Sequence, residues 1–174
     1  MAVRPILTYP DPRLRRPAAT VVAFDATLVR LVEDLLDTLY ATAGIGLSAP
    51  QLGERWQVAV ADLSGTRSAP RVYVNPVILG RSRLALVEES CLSVPGVVGN
   101  VLRATRVRAR AQDVAGASFE LDLVDMDAVC LQHELDHLAG KLFIDRLSPL
   151  RRLRLWASAA SARHATPRPH PSHS

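Results

Sequence analysis

The chain has 174 residues, 48% apolar and 22% charged, a globular composition that fits one domain with a sizeable core and is too short for two ordinary ones. Its formal charge of +4 is uneven: residues 1–146 carry 15 Arg and one Lys against 17 acids, a balance of −1, whereas residues 147–174 carry five Arg and no acid. No apolar run approaches the roughly 18 residues that cross a bilayer, and Pro5, Pro10, Asp11 and Pro12 interrupt any signal-peptide core.

In chain order, Ile6 to Arg16 is Pro-rich and reads as a clamped arm rather than a helix or strand. Leu28, Leu31, Val32, Leu35, Leu36, Leu39 and Tyr40 then recur at helical spacing, so an amphipathic helix is expected, capped by Asp25 or Thr27. A Gly-bearing loop, Gly44 to Gln51, follows. Strands are expected at Val58–Leu63, Val72–Leu79 and Leu84–Ser93, the last closed by Pro95-Gly96. Val101 to Ala111 alternates, with Arg106, Arg108 and Arg110 on one face, and pairs with Phe119–Val124 around a turn at Asp113–Gly116. Asp125 is read as the N-cap of a helix running to about Ala139, with Gly140 ending it.

Residues 1–147 then form one catalytic domain, 148–163 a C-terminal helix with Leu150, Leu153 and Trp156 on one side, and 164–174 a disordered tail. The expected class is α+β, mainly antiparallel sheet packed around the central helix. The basic C-terminal helix can touch a polyanion or simply be a solvated surface. Two cysteines, Cys91 and Cys130, make no disulfide framework in a chain this long, which fits a reducing compartment.

The body of the chain holds only two histidines, His133 and His137, four residues apart with Glu134 between them. At i and i+4 their imidazoles share one helical face, about 6 Å apart along the axis. This is the H-E-x-x-H pattern: two ligands for one metal, and a carboxylate to act on a water beside it. The histidines would otherwise be ordinary surface residues, but Val129 and Cys130 make the same side of the helix apolar. A third ligand is required, and no glutamate follows Glu134, so Asp145, Asp136 or a cysteine must supply it. Cys130 lies about 6–7.5 Å from the metal level along the axis, too far for a thiolate bond of about 2.3 Å. Cys91 sits on a different element, and a strand could bring it to the open side of the helix.

Three ordered segments resemble the peptide deformylase family. Gly44-Ile45-Gly46-Leu47-Ser48-Ala49-Pro50-Gln51 is similar to its Gly-φ-Gly-φ-Ala-Ala-Pro-Gln motif, Glu89-Ser90-Cys91-Leu92-Ser93 to Glu-Gly-Cys-Leu-Ser, and Gln132 to His137 to Gln-His-Glu-x-Asp-His. The resemblance implies removal of formate from N-formylmethionyl peptides in the cytoplasm. It implies a divalent metal held by Cys91, His133 and His137, usually Fe²⁺, with Zn²⁺, Ni²⁺ or Co²⁺ as substitutes. It further implies Glu134 as general acid and base, Gln51 and the Leu92 N–H as oxyanion donors, and Gly46 and Arg103 as peptide-holding residues; the alternative for Arg103 is a surface pair with Glu88 or Glu89. Ile45, Val129 and the Cys130 wall would form the pocket for the methionine side chain.

Two residues depart from the motifs. Ser48 stands for an alanine, and Ser90 stands for the glycine before the metal cysteine. If position 90 needs φ > 0, serine strains it by about 1–3 kcal/mol and lowers catalytic efficiency; if it needs only a small residue, serine is tolerated. Two rival readings follow from the same residues. One is a protease cutting internal peptide bonds. The other is a non-catalytic or weakly active metal-binding domain on the ribosome, docked through the C-terminal helix.

Overall fold

The computed structural model describes residues 2–149, 151 and 152. The expected C-terminal helix, apart from its first few positions, and the tail therefore lie outside the described residues. Helix α1 (Ala26–Tyr40) forms where the apolar spacing predicts it, and it buries Leu28, Leu31, Val32, Leu35 and Leu39. Asp25, not Thr27, is the cap: its carboxylate accepts the N–H groups of Thr27 at 2.8 Å and Leu28 at 3.2 Å.

Five strands form one sheet in sequential order: β1 (Gly46–Ser48), β2 (Val58–Ala61), β3 (Arg71–Cys91), β4 (Val94–Gln112) and β5 (Ser118–Val124). Every neighbouring pair is antiparallel. The class is therefore α+β as expected, but four local expectations change. Val72–Leu79 and Leu84–Ser93 belong to one strand, because Gly80, Arg81 and Ser82 keep pairing with Arg108, Val107 and Arg106. That stretch is solvent-exposed, so it needs no apolar residues to remain in the ladder, and its polarity looks like a break. Pro95-Gly96 does not separate two elements but lies inside β4, which turns back immediately after Cys91 pairs with Val94. Part of the expected loop at residues 44–51 is strand β1 and a single 3-10 turn, Ala49–Leu52. Asp125 is not a cap: helix α2 (Asp125–Leu138) begins on it, at φ 49°, and Val124 occupies the cap position.

Helix α2 covers one face of the sheet and α1 the other strand end. Ala104, Val107, Ala109, Ala111 and Leu123 pack with Ala128 and Leu131 of α2. Leu47, Val58, Val60 and Val74 pack with α1. A third cluster joins Cys91, Val94 and Val101 to Leu14, Leu142 and Phe143. Gln132 fixes α2 against β4. Its side chain accepts the Ala104 N–H at 3.2 Å and donates to the Ala104 carbonyl at 2.8 Å. Pairing with β5 starts only at Arg106, so one carboxamide satisfies the open edge in place of a strand.

The N-terminal arm is clamped as expected, with Leu7 N–H on Gln51 O at 2.7 Å and Tyr9 N–H on Ser93 O at 2.8 Å, but it is not free of helix: Pro12–Arg15 form a 3-10 turn capped by Asp11. Where it crosses the end of α2, Gly140 (φ 69°) is required twice over. A Cβ there would lie 2.6 Å from the Arg15 carbonyl oxygen.

Candidate metal centre

The fold brings together residues far apart in the chain. Cys91 ends β3, while His133 and His137 project from α2. One ligand atom from each lies within 4.8 Å of the other two. The Cys91 Sγ to His137 Nε2 separation is 3.2 Å, as expected for two donors around a common ion. The other candidates for the third position are committed elsewhere. Asp145 binds Arg15 and the Leu142 N–H; Asp136 binds Arg103 and Arg146. The Cys130 sulfur lies toward the Ile45 carbonyl, 3.9 Å away, and outside the cluster.

The surroundings favour a cation. Glu89 Oε2 lies 2.8 Å from His133 Nδ1, which leaves Nε2 directed away from that bond and fixes the ring. Burial alone would lower the His133 pKa, yet its bonds to Cys91 and Glu89 raise it to about 10. His137 is pushed well below its ordinary 6.5, first by burial and then by the charge on His133. The acidic groups beside His133 thus favour positive charge at this position, and the neutral His137 imidazole keeps a lone pair for an ion. Among the described residues, only two buried side-chain atoms lack a hydrogen-bond partner, Glu134 Oε2 and His137 Nδ1. Both belong to this site. A thiolate and two imidazoles with a carboxylate beside them are a donor set suited to a catalytic transition-metal ion.

Glu134 is 3% exposed, and burial raises its carboxyl pKa from 4.5 to about 7. A group with a pKa near neutrality can both take and return a proton. Gln51 lies under the cluster. Its Oε1 accepts the Ser48 N–H at 2.9 Å and the Ser48 hydroxyl at 3.0 Å. Its Nε2 donates to Ser93 Oγ at 3.1 Å and lies 3.9 Å from the Cys91 sulfur.

A cleft of about 550 Å³ opens onto these groups. Ile45, Gly46, Leu92, Val129, Cys130 and Met126 line it. The structure thus gathers the expected residues around one space, with one exception. Arg103 is 2% exposed and does not reach the cleft. Its guanidinium donates to Glu89 at 2.6 and 3.0 Å and to Asp136 at 2.7 Å. The expectation that Arg103 holds the peptide is corrected in favour of the pairing alternative, here buried rather than at the surface: it neutralises two buried carboxylates, Glu89 on β3 and Asp136 on the histidine helix. Burial would raise the Glu89 and Asp136 carboxyls, but hydrogen bonds from His133 and Arg103, and from Arg146 and Arg103, hold both below their ordinary values.

Sequence reasoning also missed Ser93 as a partner of Gln51, the orienting role of Glu89, and Arg146. The one available signal for the last is the charged pair Asp145-Arg146 inside the run Leu142 to Leu147. Ser90 proves unstrained. The left-handed non-glycine residues among those described are Arg67, Asn75, Arg83 and Asp125, and the Ser90 side chain is exposed.

Comparison with known proteins gives a consistent picture. The family profile described as Polypeptide deformylase matches residues 3–153. A peptide deformylase of Alkalilimnicola ehrlichii is 49% identical over 157 residues, covering 89% of this chain and 88% of that protein. One from Nitrosococcus oceani is 47% identical over 155 residues, covering 89% and 93%. The crystal structure of a peptide deformylase from Legionella pneumophila superposes with a TM-score of 0.86 at 42% identity, covering 95% of this chain and 100% of that one. The Ehrlichia chaffeensis peptide deformylase in complex with actinonin gives 0.86 at 31% identity, with coverage of 95% and 100%.

Proposed function

The chain belongs to the polypeptide deformylase family; it is a hydrolase that takes the formyl group from N-formylmethionyl peptides, and we propose how its own residues divide that work. Cys91, His133 and His137 hold a divalent cation, which when bound supplies Lewis acidity to an attacking water and to the formyl carbonyl. Fe²⁺ is the proposed ion in the cell, a choice that the thiolate and imidazole donors support alongside Zn²⁺, Ni²⁺ and Co²⁺.

Glu134 accepts the proton of the attacking water and returns it to the methionyl nitrogen as the C–N bond breaks. Formate and a free amine result. The Gln51 Nε2–H and the Leu92 backbone N–H donate to the oxygen on which negative charge develops. Ile45, Gly46 and Val129 receive the methionine end of the peptide, where the missing side chain of Gly46 lets the substrate backbone approach. Arg103 takes no part in binding substrate.

The observation that carries this reading is the convergence of the three donor atoms within 4.8 Å beside a buried, partnerless carboxylate oxygen. Formate release from an N-formylmethionyl peptide by anaerobically prepared protein tests it. Glu134→Ala is expected to keep its metal and lose turnover by a factor of about 100 or more. Undiminished turnover would remove Glu134 from this role.

Nothing in the site supports the non-catalytic alternative, since the strain it drew on at Ser90 is absent. Among the described residues, no helix is long and apolar enough to cross a membrane. We further propose a cytoplasmic enzyme whose basic residues after position 147 approach ribosomal RNA. Removal of residues 148–174 is then expected to weaken co-sedimentation with ribosomes, and unchanged binding would refute this.

A further inference from the structure

Ser48 is fully buried, 0% exposed, and stands one residue before the 3-10 turn that carries Gln51. A carboxamide can sit in either of two orientations that differ by a half-turn. Only one of them presents N–H to the cleft. Reversed, it would present a carbonyl oxygen to a developing negative charge and oppose the reaction. The Ser48 backbone N–H alone provides one bond that favours the productive orientation. The hydroxyl provides a second, from Ser48 Oγ to the same Gln51 Oε1 at 3.0 Å.

On the other side, Gln51 Nε2 meets Ser93 Oγ and the Cys91 sulfur. A hydroxyl can adapt to either orientation of the amide, since it both donates and accepts, and a thiolate favours the donor. The selection therefore rests chiefly on the two donors of Ser48. An alanine, the residue the family motif carries here, would supply only one of them.

We propose that the Ser48 hydroxyl is a positioning residue for catalysis, locking the Gln51 carboxamide with its N–H toward the cleft. It does not touch substrate; it acts through Gln51, to whose Oε1 it is bonded at 3.0 Å, although the same hydroxyl also favours the charged form of the Glu134 carboxylate beside it. The inference rests on the oxyanion-donor role proposed for Gln51. It also implies that this departure from the motif is a gain in preorganisation rather than a neutral change.

The test is a double-mutant cycle on the full chain loaded with a defined metal. Ser48→Ala removes one oxygen from a packed site and is expected to fold, as its Tm will report. In it kcat falls about three- to tenfold, the range of one neutral hydrogen bond, while KM for the formylmethionyl peptide holds. In a Gln51→Ala background the same substitution has no effect on kcat, because the amide it orients is gone. Turnover that falls in Gln51→Ala but not in Ser48→Ala overturns the positioning role alone. An equal Ser48→Ala effect in both backgrounds also overturns it, as a loss that is structural or felt through Glu134 instead. Undiminished turnover in Gln51→Ala overturns the donor role of Gln51 and this inference with it.

Discussion

Gly46 offers a sharp test of how closely the catalytic carboxylate is held. A Cβ at this position would lie 2.6 Å from Glu134 Oε1, 2.7 Å from Cys130 Sγ and 3.3 Å from Glu134 Cδ. Ordinary contacts of a carbon with these atoms are on the order of 3.5 Å or more, so close to 1 Å must be found. Strand β1 cannot easily retreat, because Gly46 pairs with Ala61 in the sheet. Glu134 is buried on a helix anchored by Gln132. The Glu134 carboxylate, together with the Cys130 side chain, is therefore the part that shifts. Overpacking of this kind costs about 1–3 kcal/mol of stability, and displacing a catalytic group by about 1 Å costs on the order of 100-fold in rate. Gly46→Ala should accordingly lower kcat/KM for formate release by about 100-fold, keep the metal, and reduce Tm by several degrees. Gly80→Ala serves as the control: a Cβ there meets nothing within 4 Å, and activity should be unchanged. Activity of Gly46→Ala within threefold of the parent would refute the claim that the space beside Gly46 sets the position of Glu134.

Arg103→Met removes the counter-charge that Glu89 and Asp136 share and leaves them only His133 and Arg146, so urea unfolding should show a loss of about 3 kcal/mol, at the low end for a broken buried pair; a loss below 1 kcal/mol would contradict the buried ion-pair reading. Asp62 is held down to about 2 by the side chain and amide of Ser64, with Tyr40 and Ala69 also donating to it. Its folded pKa lies below the ordinary 3.8, so its stabilisation is complete above that pH and is lost as pH falls through about 2. The urea midpoint of Asp62→Asn should therefore vary less than the parent's across this acid window, and parallel curves would count against the assignment. Ser90→Gly relieves no backbone strain, so its kcat/KM should match the parent within about twofold; a large increase would show that serine impairs the site.

Much of the site was legible because its chemistry is local. Two imidazoles and a carboxylate on one helical turn announce themselves by spacing, and helix α1 by its apolar stripe. Long-range pairing was less legible. The exposed hairpin of β3 and β4 carries polar residues where solvent, not a core, lies on its outer face, and so one strand looked like two. Strand β1 is only three residues long, and Gly46 within it and Gly44 before it suggested a loop, although Ala59–Ala61 of β2 hold it. Arg103 shows the same limit at the side-chain level. Its position in an alternating strand does not reveal that Glu89 and Asp136, 14 and 33 residues away, converge on it and bury it. The register of β3 and α2 with β4 determines that, and no local pattern encodes it.

The account depends most on a sulfur from β3 joining two imidazoles of α2 around one cation. Cobalt(II) substitution with absorption spectroscopy tests this directly, because a coordinated thiolate gives a sulfur-to-cobalt charge-transfer band. The band should appear on addition of one equivalent of cobalt, vanish in Cys91→Ser and persist in Cys130→Ser. A band that survives in Cys91→Ser, or that depends on Cys130, would contradict it.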